Sequence, residues 1–284
     1  MGARCRQGGD PRRHATGQAP QLEAAVLSAS PLVRRWIWQT EIDSTQRLAC
    51  ELARGEGPGL VVLADAQSAG HGREGRDWFS PRGVGLWLSI IVGSARSRAE
   101  WPMLTALAAL ALRQALAGAA GLPAGIKWPN DVLCRGRKIA GVLADVVARP
   151  GGGYGIVLGL GLNIAQHEED FPPDLRGLAT SVRIETGREQ DRAPLLEALL
   201  GALDCGLRRF EDGGAAALRP DLRAAALLLG RRVTVRVARG GEVTGLALDV
   251  GEVGELVLED AAGERTSIAG GTVLAVDPPL DRGK

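Results

Sequence analysis

From Gly230 onward, the chain alternates apolar and polar residues in short stretches that are separated by Gly-rich turns. Alternation with a period of two is typical of half-buried β-strands, and the close, regular spacing leaves no room for helices between them. The pattern therefore predicts a small five-stranded barrel, assigned to residues 229–278. Its stretches read RRVTVRV, GEVTGLALDV, GELVLED and TSIAGGTVLAV.

Residues 33–228 combine strand-like apolar runs with longer helical segments. WIWQTEIDST predicts a strand leading into a helix, and a long helix is expected around residues 99–120. We therefore predict an α+β domain with a central mixed or antiparallel sheet. Residues 1–32 are rich in Gly, Arg, Gln and Pro and are expected to be disordered at least at the start. Further strands are predicted at LVVLADAQ, LWLSIIVG, IKWPND, KIAGVLADVV and YGIVLGLGLNI, and helices within residues 190–228.

Composition excludes several classes of function. The net charge of +1 gives no global field for nucleic acid or membrane binding. The longest apolar run is interrupted by Arg113 and Gln114, which indicates a buried helix, and no export segment is evident, so a cytoplasmic protein is expected. Scattered cysteines and three histidines make a zinc site improbable. The cysteines are Cys5, Cys50, Cys134 and Cys205.

The segment GHGREGRDW follows a predicted buried strand and is too rich in glycine for regular structure. Its glycines allow several backbone N–H groups to turn toward an anion, and its arginines add two guanidinium groups. An aromatic ring at Trp78 could cover a flat ligand. An exposed, solvated loop is the alternative. The residues concerned are Gly70, His71, Gly72, Arg73, Gly75, Arg76 and Trp78.

The segment IKWPND contains one of only three lysines in the chain. Lys127 and Trp128 are adjacent on a predicted strand and should point to opposite faces, so a buried Trp128 would direct Lys127 into a cavity. Asn130 and Asp131 are expected to end the strand, with side chains able to bind a base edge or a Mg²⁺-bound water. A simple turn after Pro129 would explain the same residues.

Two further groups of polar or small residues are candidates for ligand contacts. Gly159 and Gly161 share one face of the strand GLGLNI and would leave a floor without side chains, and Asn163 continues that face. A bulge or a close helix contact would explain the glycines equally well. The polar residues Ser44, Thr45, Gln46 and Gln67 could bind a ligand or simply cap helices.

In this order the segments resemble the biotin protein ligases, mainly over residues 36–182. The resemblance implies the biotin/lipoate ligase fold, which is similar to class II synthetases, followed by a small SH3-like barrel. The segments are DST, ADAQ, GHGREGRDWFS, KWPND, RKIAGVLAD, GLGLNI and ATSV.

The resemblance implies that biotin is activated by ATP and Mg²⁺ to biotinyl-5′-AMP and transferred to a lysine of a carboxylase's biotin carrier domain. Lys127 and Arg73 would be catalytic, and Asp131 is a possible contact to the metal ion. The implied adenylate site contains Arg73, Arg76, Lys127, Asn130 and Asn163. The implied biotin site contains Ser44, Thr45, Gln46, Gln67, Gly70, His71, Gly72, Arg73, Trp78, Lys127, Gly159 and Gly161.

Two residues depart from the family pattern: His71 stands where an arginine is usual, and Gln46 where an asparagine is usual. The stretch before the first motif is too short for the winged helix-turn-helix of the two-function members, so no nucleic acid partner is expected. A lipoate or octanoate ligase of the same fold is the nearest alternative. A DNA-binding regulator and a member that binds biotin without catalysis are the others.

Overall fold

The computed structural model describes residues 19–237 and 240–281, which form two β-sheets with helices packed on the larger one. The helices are α1 (Ala19–Ala29), α2 (Thr45–Leu52), α3 (Pro102–Ala120), α4 (Val182–Thr186), α5 (Arg192–Gly213) and α6 (Arg219–Ala225). The strands of the larger sheet are β1 (Arg35–Gln39), β2 (Leu60–Ala64), β3 (Gly85–Val92), β4 (Gly125–Lys127), β5 (Asp131–Cys134), β6 (Arg137–Ala148) and β7 (Tyr154–Asn163). The smaller sheet contains β8 (Arg232–Val237), β9 (Glu242–Val250), β10 (Leu256–Glu259), β11 (Arg265–Ile268) and β12 (Gly271–Asp277).

The larger sheet has the order β1-β2-β3-β7-β6-β5-β4 and is mixed, as predicted. β1 and β2 are parallel, whereas the other neighbours are antiparallel. Because successive side chains of a strand point to opposite faces, β3 supplies both layers of the core. Ile90 packs under α3 and α5, and Ile91 packs under α2.

The long helix α3 fills the centre of the core on one face of this sheet. Leu104, Leu107 and Leu112 are almost fully buried against the strands and against α5. By length and composition α3 could also cross a membrane, but 61% of that stretch is buried inside the protein.

The N-terminal region departs from its prediction. Residues 1–18, where disorder was expected, lie outside the described residues, but Ala19–Ala29 forms α1 and packs on α5. Leu22, Ala25 and Val26 are buried in the main core. Their spacing of three and four residues is that of one helix face, so α1 belongs to the folded region that was expected to start near Val33.

The smaller sheet is antiparallel with the order β11-β10-β9-β8-β12. The strands follow the predicted alternation, and inward residues such as Val233, Val235 and Leu258 form a separate small core. The five predicted strands are present, and hydrogen bonding among the described residues leaves β11 and β12 at the edges, so closure of the sheet into a barrel is not seen in the strand pairing.

The segment KWPND was predicted to be a strand that ends at Asn130 and Asp131, and this is wrong in detail. β4 ends at Lys127, and Asp131 begins β5, which pairs antiparallel with β4. Pro129 cannot donate a ladder hydrogen bond, so the chain turns there. Trp128 leaves the larger sheet and packs into the small core of the second sheet, where its indole N–H donates to the Gly254 carbonyl at 3.0 Å.

Candidate functional site

The glycine face predicted on β7 exists, and side chains of the protein lie directly on it. A Cβ atom on Gly161 would meet the Trp78 indole at 2.4 Å, and one on Gly159 would meet Gln46 Oε1 at 2.5 Å. The neighbouring strand β6 adds Gly141, which pairs with Gly161 and also contacts Trp78. The glycines are therefore required by close contacts, mainly with Trp78 and Gln46, and Lys138 also lies close to Gly141.

Trp78 rests on the glycine face without a polar partner. Its indole N–H is buried and makes no hydrogen bond to any residue that the structure describes. The ring packs edge-to-face against Trp87 with centroids 6.4 Å apart. An unpaired buried N–H costs free energy, so a ligand that offers an acceptor here would relieve that cost.

The first turn of α2 is tied to the strand end that carries Gln67. Ser44 caps the helix by accepting from Arg47 N–H, as predicted for this position. Gln67 Oε1 accepts from the Thr45 backbone N–H at 2.9 Å and from its hydroxyl at 3.1 Å. Gln67 Nε2 in turn donates to Ser80 Oγ at 2.8 Å. These polar side chains form one network beside the glycine face.

His71 joins this network from the loop. Its Nδ1 lies 3.4 Å from Ser44 Oγ, so the loop and the first turn of α2 are in polar contact. Gly70 is held equally closely, since a Cβ there would meet Ser80 Oγ and the Trp78 carbonyl at 2.7 Å. A larger residue than glycine could not be accommodated at position 70 without moving the loop.

Gln46, the second departure from the family pattern, is buried and fully engaged. Its Oε1 accepts from Ser89 Oγ at 2.8 Å, and its Nε2 donates to Asp145 Oδ2 at 2.9 Å and to the Val157 carbonyl at 3.3 Å. Ser89 Oγ also lies 3.0 Å from Thr45 Oγ1. Ser89 and Asp145 were missed from the sequence.

Lys127 lies in a cluster of charges at the end of the glycine face. Desolvation lowers the pKa of its ammonium; Asp131 opposes this, and Lys138 and Arg76 add to it. Lys138 Nζ lies 2.6 Å from Asp131 Oδ1 and 5.1 Å from the centroid of the Trp78 ring. Several cations therefore converge beside the glycine face, which suits a ligand with several negative charges.

The loop arginines face the second sheet. Arg73 donates to Asn130 Oδ1 at 3.4 Å and to the Gly271 carbonyl at 3.2 Å. Arg76 donates to Thr272 Oγ1 at 3.3 Å and is largely exposed. Burial is the main cause that lowers the Arg73 pKa, as no carboxylate pairs directly with it among the residues described. The other two loop glycines, Gly72 and Gly75, lack close contacts: a Cβ atom there would lie 3.6 Å or more from any described atom other than those of its chain neighbours.

The two asparagines have different surroundings. Asn130 holds β6 by donating to the Val142 carbonyl at 2.7 Å and keeps its oxygen toward Arg73. Asn163 is buried, donates to the Thr180 carbonyl and accepts from Gln166, each at 3.0 Å. The structure therefore gives Asn163 a structural role and leaves the predicted contact to a nucleotide unsupported.

Asp131 was a possible contact to a metal ion, but its carboxylate is paired with Lys138. Within residues 19–237 and 240–281, no group of three or more His, Cys, Asp or Glu side chains could hold a metal ion. The residues present therefore do not fit a metal site built by the protein itself.

Cysteine chemistry is also disfavoured at this site. Cys50 lies near Asp145, with Sγ 3.9 Å from Oδ2, and desolvation followed by that carboxylate raises its pKa to about 11. Cys134 is buried, and its pKa is likewise raised to about 11. Neither sulfur is a thiolate near neutral pH, so neither is an active nucleophile.

Comparison with known proteins places this geometry in a family. The sequence model of the Biotin/lipoate A/B protein ligase family matches residues 39–163, and that of the Biotin protein ligase C terminal domain matches residues 228–274. The chain is 34% identical over 240 residues to the biotin--[acetyl-CoA-carboxylase] ligase of Mycobacterium tuberculosis, covering 83% of this chain and 86% of that protein. The chain belongs to the biotin protein ligase family.

Other members of the biotin protein ligase family agree in extent. The bifunctional ligase/repressor BirA of Bacillus spizizenii is 36% identical over 238 residues, which cover 84% of this chain and 73% of that protein. A biotin protein ligase from Aquifex aeolicus, solved in complex with biotin and ATP, superposes with a TM-score of 0.74 at 27% identity. The superposition covers 85% of this chain and 98% of that one.

The residues that were missed carry weak sequence signals. Asp145 belongs to the RKIAGVLAD segment, and its role becomes visible only in the structure, where it accepts a hydrogen bond from Gln46. Ser89 is a single hydroxyl in a fully buried strand, and a buried polar residue is informative because it needs a partner. Lys138, which had no assigned role, is placed beside Trp78 and Asp131.

Proposed function

We propose that the protein is an ATP-dependent biotin protein ligase that works in two steps. In the first, a biotin carboxylate oxygen bonds to the α-phosphorus of ATP, the bond to the β-phosphate breaks, and pyrophosphate leaves. In the second, the ε-amine of a carrier lysine attacks the acyl carbon of biotinyl-5′-AMP, an amide forms, and AMP leaves. The observation that carries this function is that the glycine face lies beside the cations around Lys127.

The glycine face and the α2 network supply what a compact, rigid ring system with polar edges needs. Biotin would rest on the face of Gly159 and Gly161 after Trp78 moves to cover it, with Gln46, which lies on Gly159, contacting one edge of the ligand. Ser44, Thr45 and Gln67 offer donors and acceptors for the ureido group. Thr45 and Gln67 are fixed by hydrogen bonds to each other, and Ser44 by contacts with Arg47 and His71, before the ligand arrives. Such preorganisation lowers the cost of binding.

Adenylation requires two anions, a carboxylate and a triphosphate, to approach each other. Lys127 would lie between them, where its single compact charge can contact both groups. Arg73 and Arg76 would neutralise the phosphates from the loop. Charge stabilisation and positioning are the main contributions a protein makes to phosphoryl chemistry, and this cluster provides both.

Transfer to the carrier needs no nucleophile from the enzyme, in agreement with the raised thiol pKa values of Cys50 and Cys134. The adenylate must instead be protected from water until the carrier lysine arrives. The loop around Arg73 would provide that cover. The partner proposed is the biotin carrier domain of a biotin-dependent carboxylase, in the cytoplasm, and Mg²⁺ would arrive bound to ATP.

A single assay tests the function. Purified protein is incubated with ATP, Mg²⁺ and either biotin or lipoate, together with a carboxylase carrier domain, which is then weighed by mass spectrometry. We expect the mass of one biotinyl group to be added, and none when the acceptor lysine is changed to arginine. Modification by lipoate alone would assign the protein to the lipoate branch. Salt-sensitive DNA binding without any ATP–pyrophosphate exchange would indicate a regulator.

A further inference from the structure

The loop that carries Arg73 and Arg76 is fastened to the second sheet. Glu74 Oε1 accepts from the Thr272 hydroxyl at 2.7 Å, and Glu74 Oε2 lies 3.4 Å from Arg76 Nη2. Arg76 Nη2 also donates to Thr272 Oγ1 at 3.3 Å. Thr272 therefore binds an acidic and a basic side chain of the same loop, 198 and 196 residues away in sequence.

The conformation of Glu74 indicates that this contact has a structural effect on the loop. Glu74 has a φ of 59°, in the left-handed region that side chains other than Gly and Asn rarely adopt. Its side chain is exposed, so burial does not explain the conformation. The hydrogen bond from Thr272 is the main cause that lowers the Glu74 pKa, which keeps the acceptor charged.

The adjacent residue of β12 completes the contact. The Gly271 carbonyl accepts from Arg73, and Gly271 itself is buried so tightly that a Cβ would lie 2.4 Å from the Arg236 carbonyl. Gly271 and Thr272 begin β12, so both contacts arise from one rigid strand end. Both loop arginines are thereby held at the border of the cation cluster.

Electrostatic interactions act on the loop in both directions. Arg76 disfavours the charged forms of both Lys127 and Arg73, and Lys138 adds to the effect at Lys127, whereas Glu74 and Asp131 favour the charged form of Arg73. Like charges at short range repel, so two loop arginines need an attachment to stay beside Lys127. The contact with β12 is the attachment that the structure provides.

We propose that Glu74 and Thr272 are positioning residues that dock the loop on β12 and hold Arg73 and Arg76 beside Lys127 before the nucleotide binds. The role in catalysis rests on the proposed function, whereas the docking itself does not. The contacts are exposed and individually weak, so the loop can still be released to admit biotin and to let the product leave.

Hydrogen–deuterium exchange of the ligand-free protein tests the docking. In Thr272→Val the loop amides of residues 70–80 should exchange about fivefold faster, the effect of losing one net hydrogen bond. Thr272→Ser, which keeps the hydroxyl, should restore the slow exchange. Thr266→Val, the same change at an exposed position of β11, is the matched control and should leave the loop unaffected. Equal loop exchange in Thr272→Val and the native protein would overturn the docking.

A loop variant tests the same contact from the other side and cannot disturb the second sheet. Glu74→Asn keeps a residue that tolerates the left-handed conformation but is too short to reach Thr272. It should also speed loop exchange, and the double variant should show less than the sum of the two single effects, because both substitutions remove the hydrogen bond between Glu74 and Thr272. Additive effects of the two substitutions would contradict a shared contact.

Kinetics then tests the role in catalysis. In ATP–pyrophosphate exchange, Thr272→Val should raise the KM for ATP about fivefold and leave kcat within about twofold, since binding must now order the loop. Thr272→Ser should show the native KM. An unchanged KM for ATP together with faster hydrogen–deuterium exchange of the loop would overturn the positioning role. A protein that attaches no biotin would refute the proposed function, but the hydrogen–deuterium exchange result would still test the docking.

Discussion

Lys127 lies among charges that act on its protonation in opposite directions. Burial, Lys138 and Arg76 lower its pKa, and Asp131 raises it. An ammonium in this position is only partly compensated by the protein, so it gains most when an anion arrives. The same residue therefore makes the site selective for negatively charged ligands and sensitive to pH.

Removal of the Lys127 charge should impair adenylation far more than folding. We expect Lys127→Ala to lower kcat of ATP–pyrophosphate exchange by about 10²–10³-fold, the loss typical for one preorganised stabilising group. Lys127→Arg should restore little of it, because a planar fork does not replace a compact charge. Circular dichroism should show unchanged folding, and full exchange activity in Lys127→Ala would contradict the assigned role.

The alkaline limb of the pH–rate profile should report the Lys127 pKa. Activity needs the charged form, so it should fall as pH rises through a pKa below the ordinary 10.5. Lys138→Met removes a repelling charge and should move this limb to higher pH, whereas Asp131→Asn removes the attracting one and should move it to lower pH. The measurement is the rate of ATP–pyrophosphate exchange as a function of pH. Alkaline limbs that move in the same direction in both variants would show that these two charges do not set the Lys127 pKa.

Gly161 lies in close contact with Trp78, so a substitution there tests the glycine face specifically. Gly161→Ala would place a methyl group 2.4 Å from the Trp78 indole and into the space proposed for biotin. We expect biotin affinity, measured by calorimetry, to fall about tenfold or more. Gly118→Ala on the exposed side of α3, where nothing lies within 4 Å, is the control and should leave affinity unchanged.

At the scale of elements, the start of α5 is fixed to the strand end that precedes the polar network. Arg192 donates to Asp65 Oδ1 at 2.8 Å, and both side chains are at most 5% exposed. Asp65 directly follows β2, and Gln67 lies two residues further on. The ion pair thus links the helix layer to the segment that positions Gln67.

Breaking this buried pair should destabilise the whole domain. Arg192→Met leaves the buried Asp65 carboxylate with only Arg82, whose half-exposed guanidinium lies 3.9 Å away, and we expect a loss of about 3 kcal/mol in the free energy of unfolding by urea. Arg236→Met, which breaks the ion pair with Glu242 in which both side chains are more than half exposed, should cost less than about 1 kcal/mol. Similar losses in the free energy of unfolding of the two variants would show that burial does not determine how much an ion pair contributes to stability.

At the scale of the whole molecule, a few residues join the two sheets. Trp128 comes from the turn after β4 but packs in the small core of the second sheet. Arg219 on α6 donates to Asp249 Oδ2 and to the Val250 carbonyl, both at 2.8 Å. The second sheet is thereby held beside the loop that it docks.

Loss of the Trp128 ring should separate the unfolding of the two sheets. Trp128→Ala removes a side chain that is 92% buried and should cost about 3–5 kcal/mol. The second sheet, now with a smaller core, should unfold first, so calorimetry should show two transitions for the variant, whereas we expect one for the native protein. A single transition in the variant would mean that other contacts are sufficient for coupling.

Local patterns predicted much of this molecule, and distant contacts account for the rest. The Ser44 cap, the alternating strands after Gly230 and the glycine face depend on neighbours in sequence. The Gln46–Asp145 and Glu74–Thr272 pairs depend on chain segments 99 and 198 residues apart, which spacing alone does not bring together. The α1 helix was missed because its low-complexity surroundings masked three apolar residues at helical spacing.

The unpaired indole of Trp78 has an optical consequence. Indole emission depends on the polarity and the charges around the ring, and this ring lies on bare backbone, near Trp87 and the Lys138 ammonium. A ligand that displaces the Trp78 ring must change its contacts with the backbone, with Trp87 and with Lys138 at the same time. Intrinsic fluorescence should therefore change as biotin is added, Trp78→Phe should remove most of that signal, and occupancy of the site can be followed in real time without any label.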